Sequence, residues 1–228
     1  MKLYKFRPLA TCIDAERVEQ IINTGEFWHS NFWELNDPME GVYSFQREAL
    51  PPAFIRELFD AKSGYVICSF SGPDALREQL LWGYYANGFK GVAIEIDVND
   101  ADTNIRKVKY VPGLTELLGP TDAECAAISI LMTKLDCWRH EQEHRCLVQS
   151  PPGPYKVGRI SAVYFGSPYH TAVNANSART RLRVREYLHR ATSIRQIAKL
   201  HGVPCHDLDM RDGLVTIAQD ARPEDTQT

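Results

Sequence analysis

The sequence predicts an α+β fold: a single domain over residues 1–220, with a mixed or antiparallel sheet flanked by helices. Three observations predict it. Short apolar or alternating runs, clearest in Gly91-Val-Ala-Ile-Glu-Ile-Asp-Val98, have the period of two that marks a strand. Other stretches place apolar residues three and four apart, the spacing of a helix with one buried face. The two kinds of element are interspersed without repeats, low-complexity segments or a separating linker.

In chain order, Leu3-Tyr-Lys-Phe-Arg7 alternates apolar or aromatic with basic residues as far as Pro8 and is a first strand. Asp14 caps a helix that carries Val18, Ile21 and Ile22 and ends at Gly25. Glu26 to Trp33 is a β-rich run, closed by the turn chemistry of Asn36-Asp37-Pro38. Pro52 to Ala61 is helical, with Phe54, Ile55, Leu58 and Phe59 on its apolar side. Tyr65 to Ser71 is a buried strand stopped by Gly72-Pro73, and Asp74 to Asn87 a helix with Leu76, Leu80, Leu81, Tyr84 and Tyr85 inward. Val108 to Val111 is a short strand, and Thr121 to His140 has a helical pattern through Ala127, Ile128, Leu131 and Leu135. Pro151-Pro-Gly-Pro154 is a firm break, but the residues after it hold too few apolar strands to fold alone. Beyond it come a strand at Ile160–Gly166, a helix at Ala178–His201, and short strands at Val203–Met210 and Leu214–Ala218. Residues 221–228 form a polar tail expected to be disordered.

At 228 residues the chain can bury a full core, and 44% hydrophobic with 24% charged residues is ordinary for a soluble protein. A net charge of −3 gives no support for a broad electrostatic grip on nucleic acid, although a local basic patch remains open. No run approaches the roughly 18 apolar residues of a membrane helix, and MKLYKFRPLA has no signal-peptide core, so a cytoplasmic protein without a membrane partner is expected. Six cysteines show no Cys-x-x-Cys and no Cys/His metal spacing, so buried reduced thiols and no metal are expected. Nucleotide-loop, zinc-protease and hydrolase signatures are absent from the sequence.

Chemistry concentrates in Lys134 to Val148, KLDCWRHEQEHRCLV. On a strand, Glu141, Glu143 and Arg145 would share one face and Gln142, His144 and Cys146 the other. A Glu-x-Glu pair can deprotonate a hydroxyl or steady a developing cation; it can equally be a solvated edge. Further polar and aromatic residues stand in apolar elements: Tyr4, Lys5 and Arg7; His29 and Ser30; Asn36, Asp37 and Glu40; Trp82, Tyr84 and Tyr85; Lys134 and Trp138. As a group they suit a flat, nucleotide-like ligand, which such side chains stack on and hydrogen-bond. Alternatively, Asn36 and Asp37 cap a turn, and Arg7 or Arg145 pairs with Glu40 or Glu141 in a structural network.

Six arginines, 179, 181, 183, 185, 190 and 195, fall in one segment with Glu186 as its only acid. They are either solvated surface charge or a contact surface for a protein or nucleic-acid acceptor. Ser193 to Val203 has the look of the first half of a helix-turn-helix. Pro204, Asp207 and Asp209 follow where a recognition helix belongs, which favours a plain helix-to-strand turn at Gly202.

Five blocks together resemble a widespread bacterial family catalogued as domain of unknown function 2971. They are Leu-Tyr-Lys-Phe-Arg at the start, Asn-Asp-Pro-Met-Glu at 36–40, Ser-Phe-Ser at 69–71, Leu-Leu-Trp-Gly-Tyr-Tyr-Ala at 80–86 with Lys90-Gly91-Val92, and Lys134…Trp138-x-x-Glu-x-Glu-x-Arg145. The blocks run in the family's order from residue 3 to about 168, with a helical part over 177–220. Gly83 stands where a serine is usual, and Asn87-Gly88 precedes Phe89-Lys90. More distantly the order resembles the ADP-ribosyltransferase fold, with Tyr4 or Arg7 on the first strand, Ser30 beside His29 on the second, and a late Glu141-x-Glu143. That resemblance implies NAD as substrate, Arg7 on its pyrophosphate, Glu143 steadying an oxocarbenium-like state and Glu141 orienting the acceptor. A non-catalytic nucleic-acid- or ligand-binding module for defence or stress is the alternative.

Overall fold

Turn chemistry sets most element ends, and backbone pairing resets a few of them. In a computed structural model, residues 1–46, 48–99, 104–169, 177–211 and 214–218 are described, so the tail at 221–228 lies outside them. The chain runs β1 (Lys2–Pro8), α1 (Cys12–Thr24), β2 (Glu26–His29), β3 (Tyr43–Phe45), α2 (Pro52–Ser63), β4 (Tyr65–Ser71), α3 (Gln79–Tyr85) and β5 (Gly91–Asp97). It continues with β6 (Ile105–Lys107), β7 (Lys109–Val111), β8 (Thr115–Leu117), α4 (Ala123–Leu131), β9 (Thr133–Leu135) and β10 (Glu143–Gln149). Last come β11 (Gly153–Lys156), β12 (Arg159–Phe165), α5 (Ala178–Leu200), β13 (Cys205–Arg211) and β14 (Leu214–Ile217). The fold is α+β, and its pairing is mixed: β12 lies parallel to β13, while β10 is antiparallel to β4 and β6. No described helix is long and apolar enough to cross a membrane.

Four expected boundaries move. The β-rich run expected over Glu26–Trp33 ends at His29, and Phe32–Glu34 is a 3-10 turn. The cap of α1 is Thr11: its hydroxyl accepts the Asp14 N–H while the Asp14 carboxylate accepts the Thr11 N–H, a reciprocal capping box. The helix expected over 74–87 is a 3-10 turn at Pro73–Arg77 followed by α3, because Glu78 is extended and its carboxylate caps the Leu80 N–H. The helical pattern expected over 121–140 stops at Leu131. Parallel pairing with β7, Tyr110 opposite Lys134, then takes over the backbone bonds, and Asp136–Glu141 tightens into a 3-10 turn.

The chain groups into two compact units. The first comprises Met1–Leu3, Gly25–Ala75 and Asp97–Arg159. Its α2 and α4 pack through Phe54, Leu58, Ala126, Ala127 and Ile130, and a second cluster joins Phe32, Tyr65, Ile67, Val108 and Leu147. Three two-stranded pairs, β2 with β11, β3 with β8 and β7 with β9, belong to it.

The second unit comprises Tyr4–Thr24, Leu76–Ile96 and Ile160 onward. Its strand order is β14-β13-β12-β5-β1. From α5, Val184, Tyr187, Ala191, Ile194 and Ala198 form one buried face at three-four spacing. Gly202, at φ 67°, ends that helix as the turn reading expects. Phe6 and Phe89 pack edge-on against Trp82. Gly91 lets β5 start in this crowd, since a Cβ there would lie 2.3 Å from the Arg7 carbonyl oxygen and 2.9 Å from Ala86. Gly91→Ala is therefore expected to cost about 2–3 kcal/mol, read as a lowered urea midpoint; an unchanged midpoint would contradict the packing.

Candidate functional site

Arg145 is the fully buried centre of the Glu-x-Glu stretch, at 0% exposure. It stands on β10 opposite Ser69 of β4. All five guanidinium N–H groups are engaged. Nε donates to Glu143 Oε1 at 2.7 Å, and Nη2 donates to Glu143 Oε2 at 3.2 Å and to Glu40 Oε2 at 2.6 Å. Nη1 donates to Glu40 Oε1 at 2.5 Å and to the Leu131 carbonyl. Lys134 extends the network, its ammonium lying 2.6 Å from Glu141 Oε2 and 2.9 Å from Glu143 Oε2, above the Trp138 ring.

The sequence builds each arm locally. Asp37 accepts the Met39 N–H on its side chain and the Glu40 N–H on its carbonyl, making an Asx-type turn that presents Glu40. Gly41, at φ 69°, completes it, and the buried Lys62 donates to the Gly41 carbonyl at 2.8 Å between the Phe32 and Tyr43 rings. The strand does not reach Glu141, contrary to the single-face arrangement expected of it. Glu141 ends the 3-10 turn, Gln142 is left-handed at φ 48°, and β10 starts at Glu143. That reversal brings both carboxylates to one ammonium. The solvated-edge alternative falls too, since Glu40, Glu141 and Glu143 are 8%, 4% and 3% exposed.

Burial pushes the Glu143 carboxyl up. Arg145 and Lys134, with hydrogen bonds from Arg145 and Ser69, outweigh it and bring the group down to about 2. At Glu40 burial prevails over Arg145, so that carboxyl sits above the usual carboxylate range. Burial lowers Lys134, but Glu143 and Glu141 more than compensate and hold it raised. Tyr110, pushed up to about 12 chiefly by burial, accepts the Glu143 N–H on its hydroxyl at 2.8 Å. Four donors thus fill the lone-pair sites of Glu143, which is an ionised, saturated carboxylate.

Lys134 also lines a shallow cleft with Asp37, Thr115 and Thr133. Of the other expected site residues in this unit, Asn36 is exposed and Trp138 half-buried. Fully buried His29 bonds the Phe27 carbonyl and meets the Tyr155 ring edge-on. Ser30 bridges β4 through backbone bonds to Ile67.

Tyr4, Lys5, Arg7, Trp82 and Tyr85 belong to the second unit. Trp82, expected to stack on a ligand, is instead core at 1% exposure, its indole N–H on the Leu76 carbonyl. The Tyr4 hydroxyl donates to Glu95 at 2.9 Å, as do Tyr164 at 3.1 Å and Ser161 at 2.7 Å. Sequence reasoning passed over Glu95, although an acid in the middle of Val-Ala-Ile-Glu-Ile is itself a signal. It also passed over Lys62, which continues the four-residue spacing of Phe54 and Leu58 on the core side of α2.

Neither a family model, a curated protein nor a solved structure matches this chain significantly. The resemblances therefore rest on the quoted motifs alone.

Two outcomes follow from the network. Arg145→Lys, which cannot reproduce the five-donor fork, is expected to cost about 3–5 kcal/mol in urea unfolding, because two buried carboxylates lose their partner; a cost under about 1 kcal/mol would contradict the geometry. Glu143 stays ionised to about 2 when folded and to about 4.5 otherwise, so its contribution is complete above pH 4.5 and disappears as pH falls to 2. It amounts to on the order of 3 kcal/mol. Glu40, raised by burial, acts in the opposite sense, stabilising at low pH and losing that part as pH rises through its folded value. Urea midpoints are expected to fall between pH 5 and pH 2.5 in wild type and to change less in Glu143→Gln.

Proposed function

We propose that the chain is an NAD-using transferase or glycohydrolase of the ADP-ribosyltransferase kind, with Glu141 and Glu143 as its carboxylates. The observation that supports this is their convergence on Lys134, at 2.6 and 2.9 Å, where that residue enters the wall of the Asp37 cleft. Loss of nicotinamide builds positive charge on ribose, and a fixed carboxylate in a dry site steadies it without reorganising. Glu143 has the right property for that part: held down at about 2, it is ionised at every physiological pH and takes no proton. Acceptor activation falls to Glu141. Lys134 stands between the cleft and both carboxylates, and an entering pyrophosphate competes for its ammonium. Arg145 and Glu40 act as positioning residues.

Nicotinamide release from NAD is expected in wild type and is expected to fall at least 100-fold in Glu143→Gln with NAD binding retained. Wild type that neither binds nor turns over NAD sinks the proposal, as does a Glu143→Gln variant with unchanged turnover.

A second reading has an observation of its own. Arg179, Arg181, Arg183 and Arg185 are all exposed on the first two turns of α5. Arg190 bonds the Leu9 carbonyl, and Arg195 pairs with Asp207 over the Phe165 ring. Cations at a helix N-terminus oppose the helix dipole, so their concentration there favours a contact role, for a nucleic-acid or protein acceptor or for a non-catalytic binding module. Changing these four to glutamine is expected to reduce the salt slope of single-stranded nucleic-acid binding by roughly three. No binding near physiological salt counts against it.

A further inference from the structure

We infer that Cys68 and Cys146 form an oxidisable dithiol, which small hydroperoxides convert to a cross-strand disulfide between β4 and β10. The two residues are direct partners in the antiparallel register, flanked by the pairs Phe70–His144 and Val66–Val148. Directly opposed residues of an antiparallel pair have Cα atoms roughly 4.5–5.5 Å apart and side chains on the same face. Ile67 and Leu147 turn their backbone groups away to Ser30 and Asn104, so Cys68 and Cys146 are a hydrogen-bonded pair with Cα atoms roughly 5.5 Å apart. That lies within the roughly 4.4–6.8 Å a disulfide spans, and closure draws the two Cβ atoms together by about 1 Å through a small local backbone adjustment. Neither residue is in a disulfide, and Cys68 is 1% and Cys146 5% exposed.

Their burial selects the reactant. A bulky disulfide such as oxidised glutathione cannot approach, whereas a hydroperoxide is little larger than water. Access lies on the β6 side. That edge strand has three residues, with exposed Arg106 and Lys107, and Ile105 is the register partner of Cys146. Such short edges open at low free energy. One thiolate attacks a peroxide oxygen, giving a sulfenic acid and releasing water after proton uptake. The second sulfur then attacks the sulfenic sulfur and expels a second water. Two thiols and one hydrogen peroxide thus give one disulfide and two waters, both sulfurs oxidised and both peroxide oxygens reduced. The link would form on the face opposite Ser69 and Arg145, one residue from each, and would tie down the strand that carries Glu143.

The test uses the full chain with the exposed Cys12, Cys125 and Cys137 changed to serine, leaving Cys68, Cys146 and Cys205. After hydrogen peroxide, denaturing alkylation and peptide mapping, two of three thiols are expected to be lost together in a linked Cys68–Cys146 peptide. Dithiothreitol should restore both, and the oxidised chain should show a raised thermal midpoint. Mapping of oxidised wild type reads the same link without any substitution. Both thiols remaining alkylatable while Cys205 is oxidised would overturn the inference, as would sulfinic acids without a linked peptide.

Discussion

One guanidinium holds the first unit's polar interior in register. Arg145 directs five N–H groups at Glu40, Glu143 and the Leu131 carbonyl, drawing a turn near residue 40, the end of α4 and strand β10 to one point. Because none of these groups is open to water, the arrangement is nearly all-or-none: a missing partner leaves a buried charge, not a weakened contact. The loop from Asp37 to Val42, the left-handed Gln142 and the Tyr110 hydroxyl on the Glu143 N–H all serve that convergence.

Buried ion networks of this kind contribute little net stability compared with a well-packed apolar equivalent. Their physical use is to fix geometry and to keep particular groups charged. With every group ionised the set carries three acids and two bases, a net charge of −1, and its cation Lys134 lines the cleft.

Local patterns carried most of the fold. Period-two alternation marked β5, Gly25 and Gly202 marked helix ends, and Asn36-Asp37-Pro38 marked the turn that presents Glu40. Elements of three residues, such as β3 and β8, have too few positions for periodicity to register; their existence depends on a partner brought from elsewhere in the chain. The site was legible as residue types and not as pairs. Glu40 and Arg145 are 105 residues apart, and Arg145 pairing with Glu40 was one of several options the composition allowed. Trp82 shows the complementary failure, since an aromatic beside polar residues has the same signature whether it meets a ligand or, as here, Phe6 and Phe89.

Side-chain carboxyl NMR on glutamate-labelled protein tests the central claim most directly, because it reads protonation at each carboxyl without unfolding the chain. Resonances of Glu143 and Glu40, assigned through Gln variants, should separate in a pH titration. Glu143 is predicted to stay ionised to about 2 and Glu40 to titrate above 4.5. Both titrating together near 4.5, as solvated carboxylates do, would contradict the buried Arg145 network.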